Sequence, residues 1–151
     1  MHTIVRRFLK TGIAFLGVGL ALGGWMMVRR EIMSAYPTPY LVSAHTHAIL
    51  VGFVMMMILG VALWLFPRPE KGDQRYDPRS AELAYWLVAA GTAVRVGGEV
   101  LRDLSDAPLL RWIVVVAGLC QIAGIGVFFH TMWSRIRPVG SQVREARGER
   151  F

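Results

Sequence analysis

The chain has 151 residues, of which 54% are hydrophobic and 18% are charged, and its formal net charge is +7. Soluble domains carry about 25% charged residues, and here three stretches, residues 11–28, 32–67 and 112–134, contain no Lys, Arg, Asp or Glu at all. Runs of this length exclude a water-soluble globule and a disordered chain, so the sequence predicts an integral membrane protein.

Four transmembrane helices are predicted in chain order, at residues 11–28, 41–66, 83–101 and 109–133. Each is long enough to cross a hydrocarbon layer of about 30 Å, because an α-helix rises about 1.5 Å per residue. The third contains Arg95 and Glu99, but residues 83–94 are uninterrupted. We therefore expect an all-α, integral membrane four-helix bundle over residues 1–138, followed by a basic cytoplasmic tail at 139–151.

The basic residues flank the apolar runs, which indicates membrane topology and argues against a nucleic-acid partner. One set of flanking segments carries twelve of them: Arg6, Arg7, Lys10, Arg68, Lys71, Arg75, Arg79, Arg135, Arg137, Arg144, Arg147 and Arg150. The other side of the membrane carries four: Arg29, Arg30, Arg102 and Arg111. Cytoplasmic segments are enriched in Lys and Arg, so both termini are predicted to be cytoplasmic, in a multi-pass protein of a bacterial inner membrane.

Polar side chains at membrane depth are costly and are therefore candidates for function. His45 and His47 lie within about 6 Å of the outer end of the second predicted span, and Arg95 and Glu99 within about 9 Å of the outer end of the third. These four residues therefore share one level. His130 is predicted at the cytoplasmic interface, some twenty residues into the fourth span, and is too far from that level to join it.

The spacing of the two histidines predicts that their rings diverge by about 200° on a helix. A His-Thr-His start to a span favours haem or metal ligation, with one ring directed to a centre in the bundle and the other to a neighbouring helix or subunit. Met26 and Met27 lie at the same level and provide soft sulfur donors for copper or for haem iron, or simply pack. Arg95 either pairs with Glu99 four residues on or, with Arg102, receives an anion such as the haem propionates.

The second span, from Ala44-His45-Thr46-His47 through Gly60 to Pro67, resembles helix II of the catalytic subunit of haem–copper oxidases. The likeness is strongest to the cytochrome-c-type nitric oxide reductases and related oxidases. The resemblance implies that His45 is an axial ligand of a low-spin haem. His47 stands where the nitric oxide reductases usually carry a different polar residue. Small four-span proteins with the same opening are similar along their whole length.

The resemblance implies a haem b protein that transfers electrons or binds nitric oxide or oxygen. The family's other haem ligands and its copper histidines lie in later helices, and the chain has only four histidines. It is therefore not expected to build a haem–copper binuclear site alone, and no catalytic residue is assigned. Two alternatives are an accessory or assembly subunit of a terminal oxidase or nitric oxide reductase, and a copper-handling protein using His45, His47, Met26 and Met27. A site with one histidine per chain also predicts a homo-oligomer.

Overall fold

The computed structural model describes residues 3–67, 77–136, 140, 143–144 and 147–148. In this part of the chain the regular structure is entirely helical, and four long helices account for nearly all of it. They are α1 (Thr3–Glu31), α2 (Pro39–Leu65), α3 (Pro78–Leu104) and α4 (Pro108–Met132), and a short 3₁₀ turn (Trp133–Arg135) follows α4.

Three of the helices, α2, α3 and α4, begin at a proline that precedes the predicted apolar span. Proline is well suited to the first turn of a helix, where its missing N–H has no partner to lose. The Thr38 side chain caps α2 by accepting a hydrogen bond from the backbone N–H of Leu41, at 3.3 Å. Asp77 caps α3 in the same way through the N–H of Arg79, at 2.9 Å. Local capping therefore sets the starts of α2 and α3 before the predicted spans, which begin at residues 41 and 83.

The middle of α2 is wound as a π-helix over Ala48–Met55, with α-helix on either side. This segment keeps Ala48, Gly52 and Met56, which are four residues apart, buried on one side of the helix. At Gly52 an added Cβ would lie 2.5 Å from the ring of Phe15 in α1. Such segments are frequent at functional sites, and this one begins directly after His47.

The four helices meet in a main hydrophobic core at the end of the bundle where α1 begins and α2 ends. There Phe8 packs edge-to-face on Tyr85, with ring centroids 5.2 Å apart, and on Phe128, at 6.0 Å. The opposite end, where α1 ends and α2 begins, is called here the histidine end. Among the described residues its buried apolar cluster is Ala44, Ala48 and Val96, with Leu22 and Val100 packed against it. The larger apolar core therefore lies at the other end, and the histidine end combines a small apolar cluster with polar groups.

Three of the four helices, α1, α2 and α4, are long and apolar enough to cross a membrane. Helix α3 is of similar length, but its charged side chains, including Arg95 and Glu99, lower its hydropathy below that of the other three. It contacts α1, α2 and α4, so those side chains have protein neighbours. The chain is thus an all-helical membrane protein, while the crossing of α3 and the cytoplasmic placement of both termini stay predictions.

Candidate functional site

His45, on α2, packs against the face of α1 that contains Gly19 and Gly23. Its Nδ1 lies 2.8 Å from the backbone carbonyl oxygen of Gly19. Since a carbonyl only accepts hydrogen bonds, Nδ1 donates, which in the neutral ring leaves the lone pair on Nε2. A Cβ at Gly23 would lie 3.0 Å from Cε1 of the ring, so the missing side chain there makes room for the imidazole. The result is an oriented ring whose Nε2 has no hydrogen-bond partner among the described residues.

His47 points to a different neighbour, helix α3. Its Nδ1 donates to the backbone carbonyl of Ser43, one turn earlier, at 2.8 Å, and lies 3.6 Å from Oε2 of Glu99. Its side chain is 22% exposed. The two rings thus lie at separate helix interfaces, as their two-residue spacing on an α-helix requires.

A chain of polar contacts continues from His47 across α3 to α4. The Ser43 hydroxyl donates to Oε1 of Glu99 at 2.8 Å, and Nε of Arg95 donates to the same oxygen at 3.1 Å. Nη1 of Arg95 then donates to Oε1 of Gln121 at 3.2 Å. Glu99 is only 3% exposed, and its Oε2 accepts no hydrogen bond from the described residues. Arg95 is therefore engaged in an ion pair and a hydrogen bond within its own chain.

Arg102 is also engaged, at the link between α3 and α4. Its Nη2 donates to the Tyr40 hydroxyl at 2.7 Å and to Asp106 at 3.3 Å, and its guanidinium lies 4.0 Å over the Tyr40 ring. The hydrogen bond and charge of Arg111, and then the hydrogen bond of Arg102, hold the pKa of the Asp106 carboxyl below its usual value. Arg95 and Arg102, the two candidate anion-binding residues, thus contact α2 and α4 groups and not the interface that holds His45.

The candidate sulfur donors lie near His45 along α1. Met26 and Met27 follow Gly23 by about one helical turn,, and Met27 is 63% exposed. His130 is exposed near the far end of α4, away from this level. The described residues include no group of three or more His, Cys, Asp or Glu placed to hold a metal ion.

Sequence reasoning found the histidines and the Arg95–Glu99 level but missed the groups that fix them. Gly19 and Gly23 contact His45 and Gln121 accepts a hydrogen bond from Arg95, and the sequence analysis assigned a role to none of these three residues. A signal for the glycines existed, because residues four apart share one helix face. That face could have been matched to the imidazole of a neighbouring helix.

Comparison with known proteins gives one family match. No curated protein and no solved structure matches the chain. The family model of cytochrome c and quinol oxidase polypeptide I matches residues 3–144, so the likeness covers all four helices and not α2 alone. The chain therefore belongs to the family of cytochrome c and quinol oxidase polypeptide I, the subunit I family of the haem–copper oxidases.

Proposed function

We propose that the protein binds haem b in the membrane and that His45 supplies one axial ligand through Nε2. The observation that carries this proposal is the hydrogen bond from Nδ1 to the Gly19 carbonyl, at 2.8 Å. Histidines that ligate metals almost always donate their other ring N–H to a carbonyl or carboxylate, which fixes the tautomer and raises the basicity of the ligating nitrogen. Family membership makes haem the cofactor to test first.

The residues around His45 fit a haem in two respects. The imidazole ring of His45 fits against α1 because residue 23 is glycine, where an added Cβ would lie 3.0 Å from Cε1 of the ring. The donor required from the chain is a single neutral imidazole nitrogen, and haem iron needs only one or two axial ligands from the protein. Bound haem would supply electron transfer, or binding of nitric oxide or oxygen at an open sixth position.

The second axial ligand is proposed to come from another copy of the chain or from a methionine, because the His47 ring lies at the separate interface between α2 and α3. His45 lies at the α1–α2 interface, and Met26 is on the same stretch of α1. A homo-oligomer would place a second chain against this face. Subunits of a respiratory oxidase or nitric oxide reductase are the heterologous partners proposed from family membership, and a bacterial inner membrane is the proposed location.

A spectrum of the full chain, purified in detergent, tests the proposal. We expect a Soret band and reduced-minus-oxidised bands of b-type haem at a fixed stoichiometry to protein. Copper without haem would instead support the copper-handling alternative, and protein with neither would support an accessory subunit. Native mass spectrometry of the same sample reports whether haem is held by one chain or by several.

Gly23 gives a matched test of the fit. We expect Gly23→Ala to lower haem affinity about tenfold, because overpacking costs about 1–3 kcal/mol and tenfold corresponds to about 1.4 kcal/mol. Haem titration of the purified apoprotein measures the effect. Gly24→Ala is the control, since a Cβ there would meet nothing within 4 Å and the gain in helix propensity is the same. Equal affinities for the two variants would contradict the proposed position of the ring.

A further inference from the structure

A groove lies between α3 and α4, on the side of the molecule away from His45. Its floor is made of small residues, with Ala90 and Gly91 on α3 and Ala117 and Cys120 on α4. The two helices touch closely there, since an added Cβ at Gly91 would lie 3.0 Å from the backbone oxygen of Ala117. Above this contact the small side chains leave a cavity of about 400 Å³. We call it the α3–α4 groove.

The walls of the α3–α4 groove are apolar and open to the surroundings of the bundle. Val94 on α3 and Trp112 and Val116 on α4 line it, and their exposed fractions are 49%, 70% and 56%. No charged side chain lines the groove. Trp112 follows the start of α4 by one helical turn, the depth at which indole rings favour the membrane–water interface. The groove is therefore suited to hydrocarbon, with an interfacial residue at one end.

The dimensions of the groove match one hydrocarbon chain. From Trp112 to Cys120 the groove follows eight residues of α4, or about 12 Å, and ends about 18 Å from the start of that helix. It thus runs along the helix axis within about half of a hydrocarbon layer of about 30 Å. Divided by its length, the cavity has a cross-section of roughly 30 Å²,. An α-helix about 10 Å across needs more than twice that area.

Positive charge is in excess where the groove ends at the histidine end. Residues 105–107 join α3 to α4 there. Arg111, the residue before Trp112, donates to Asp106 at 2.8 Å, and Arg102 donates to the same carboxylate at 3.3 Å. Asp106 stays charged, because Arg111 and then Arg102 hold its pKa below the usual value. Two guanidinium groups therefore share one carboxylate.

The other arginines at this end do not add to the excess, because each has an acidic partner of its own. These pairs are Arg29 with Asp103, Arg30 with Glu31 and Arg95 with Glu99. Among the described residues of the histidine end, the unbalanced positive charge is thus at the α3–α4 link, beside an apolar groove. This combination is complementary to an anionic headgroup that carries a hydrocarbon chain.

We propose that the α3–α4 groove binds an anionic phospholipid, with one acyl chain along the floor from Trp112 to Cys120 and the phosphodiester at Arg111 and Arg102. The lipid belongs to the leaflet at the histidine end. This site is separate from the interface that holds His45, and it does not depend on haem binding.

Lipid titration followed by native mass spectrometry tests the chemistry of the site. The full chain, delipidated in detergent, is titrated with phosphatidylglycerol and with phosphatidylcholine. We expect about fivefold tighter binding of phosphatidylglycerol, the size expected for one basic residue at an anionic lipid surface. Arg111→Gln should abolish this preference. Arg30→Gln, at an exposed arginine of α1, should keep it.

Filling the groove tests its position. Ala90→Phe places a ring over the floor and should weaken phosphatidylglycerol binding about tenfold, as expected for overpacking. Ala14→Phe is the matched control, because Ala14 is an exposed alanine of α1, outside the groove. Phosphatidylglycerol with a diazirine in its acyl chain, photolysed on the unmodified protein, should give adducts concentrated at residues 90–94 and 112–120.

Four results would overturn the proposal. Equal affinities for the two lipids would exclude the charged contact, and equal effects of the two phenylalanine variants would exclude the groove. Adducts spread evenly over all four helices would indicate ordinary solvation by lipid. Displacement of phosphatidylglycerol by an uncharged quinone, or a dimer cross-linked through Trp112, would identify a different occupant.

Discussion

Replacing His45 with alanine is expected to abolish haem binding and to leave the protein in the membrane. The loss should exceed roughly a hundredfold in affinity, because removing even an outer partner of a metal ligand costs about 10–100-fold and this change removes the ligand. The helix should persist, since alanine is a good helix former and α2 stays strongly apolar. The Soret band of purified protein, normalised to protein concentration, measures the effect.

Two comparisons isolate the role of the imidazole. His47→Ala removes a ring of the same kind whose Nδ1 donates within its own helix, to Ser43, and it should reduce haem content less than His45→Ala does. Free imidazole added to the His45→Ala protein should restore the band, because the truncation leaves space beside Gly23. An unchanged haem spectrum and stoichiometry in His45→Ala would refute ligation by His45 and favour the accessory-subunit alternative.

The common membrane depth of the two histidines and of Arg95 and Glu99 could be predicted from the sequence, because depth follows from the number of residues to the end of each helix. With a fixed rise per residue, His47 and Glu99 are expected at one level, and in the structure Nδ1 of His47 lies 3.6 Å from Oε2 of Glu99. The bounds of the helices were predicted less well. Thr38 and Asp77 act as caps through local hydrogen bonds, which apolar patterning does not reveal.

The π-helical segment Ala48–Met55 could not be predicted from hydrophobic periodicity. All eight of its residues are apolar or glycine, so every face is equally suitable for lipid or protein and no period emerges. The segment packs closely on α1, where an added Cβ at Gly52 would lie 2.5 Å from the ring of Phe15. The hydrogen-bond partner of His45 could not be predicted either, because Gly19 contributes a backbone carbonyl oxygen, which side-chain patterns do not indicate.

Arg135 shows the limit of reasoning from charge counts. In the sequence it is one of the positive charges that predict a cytoplasmic segment, whereas in the structure it is only 4% exposed. Nε donates to the carbonyl of Pro67 at 2.8 Å, and Nη2 donates to those of Leu63 at 3.1 Å and Phe66 at 3.0 Å. These carbonyl groups lie at the C-terminal end of α2, where backbone carbonyls have no hydrogen-bond partner within the helix. The guanidinium therefore ties the end of α4 to the end of α2.

We therefore expect Arg135→Ala to lower the free energy of unfolding by about 3 kcal/mol, because it removes the buried guanidinium that donates to three carbonyls at the end of α2,. Arg135→Lys should recover part of the loss, since an ammonium group can reach fewer of the three carbonyls at once. Unfolding of the purified protein by SDS in mixed micelles, followed by tryptophan fluorescence, measures the change.

The matched control is Arg7→Gln, which removes an exposed ion pair with Glu82 and should change the free energy of unfolding by less than about 1 kcal/mol. If Arg135→Ala is no more destabilising than Arg7→Gln, the guanidinium does not hold the two helix ends together. The position of α2, and with it the setting of His45 against Gly23, would then depend on the Phe8 core and the glycine contacts with α1 alone.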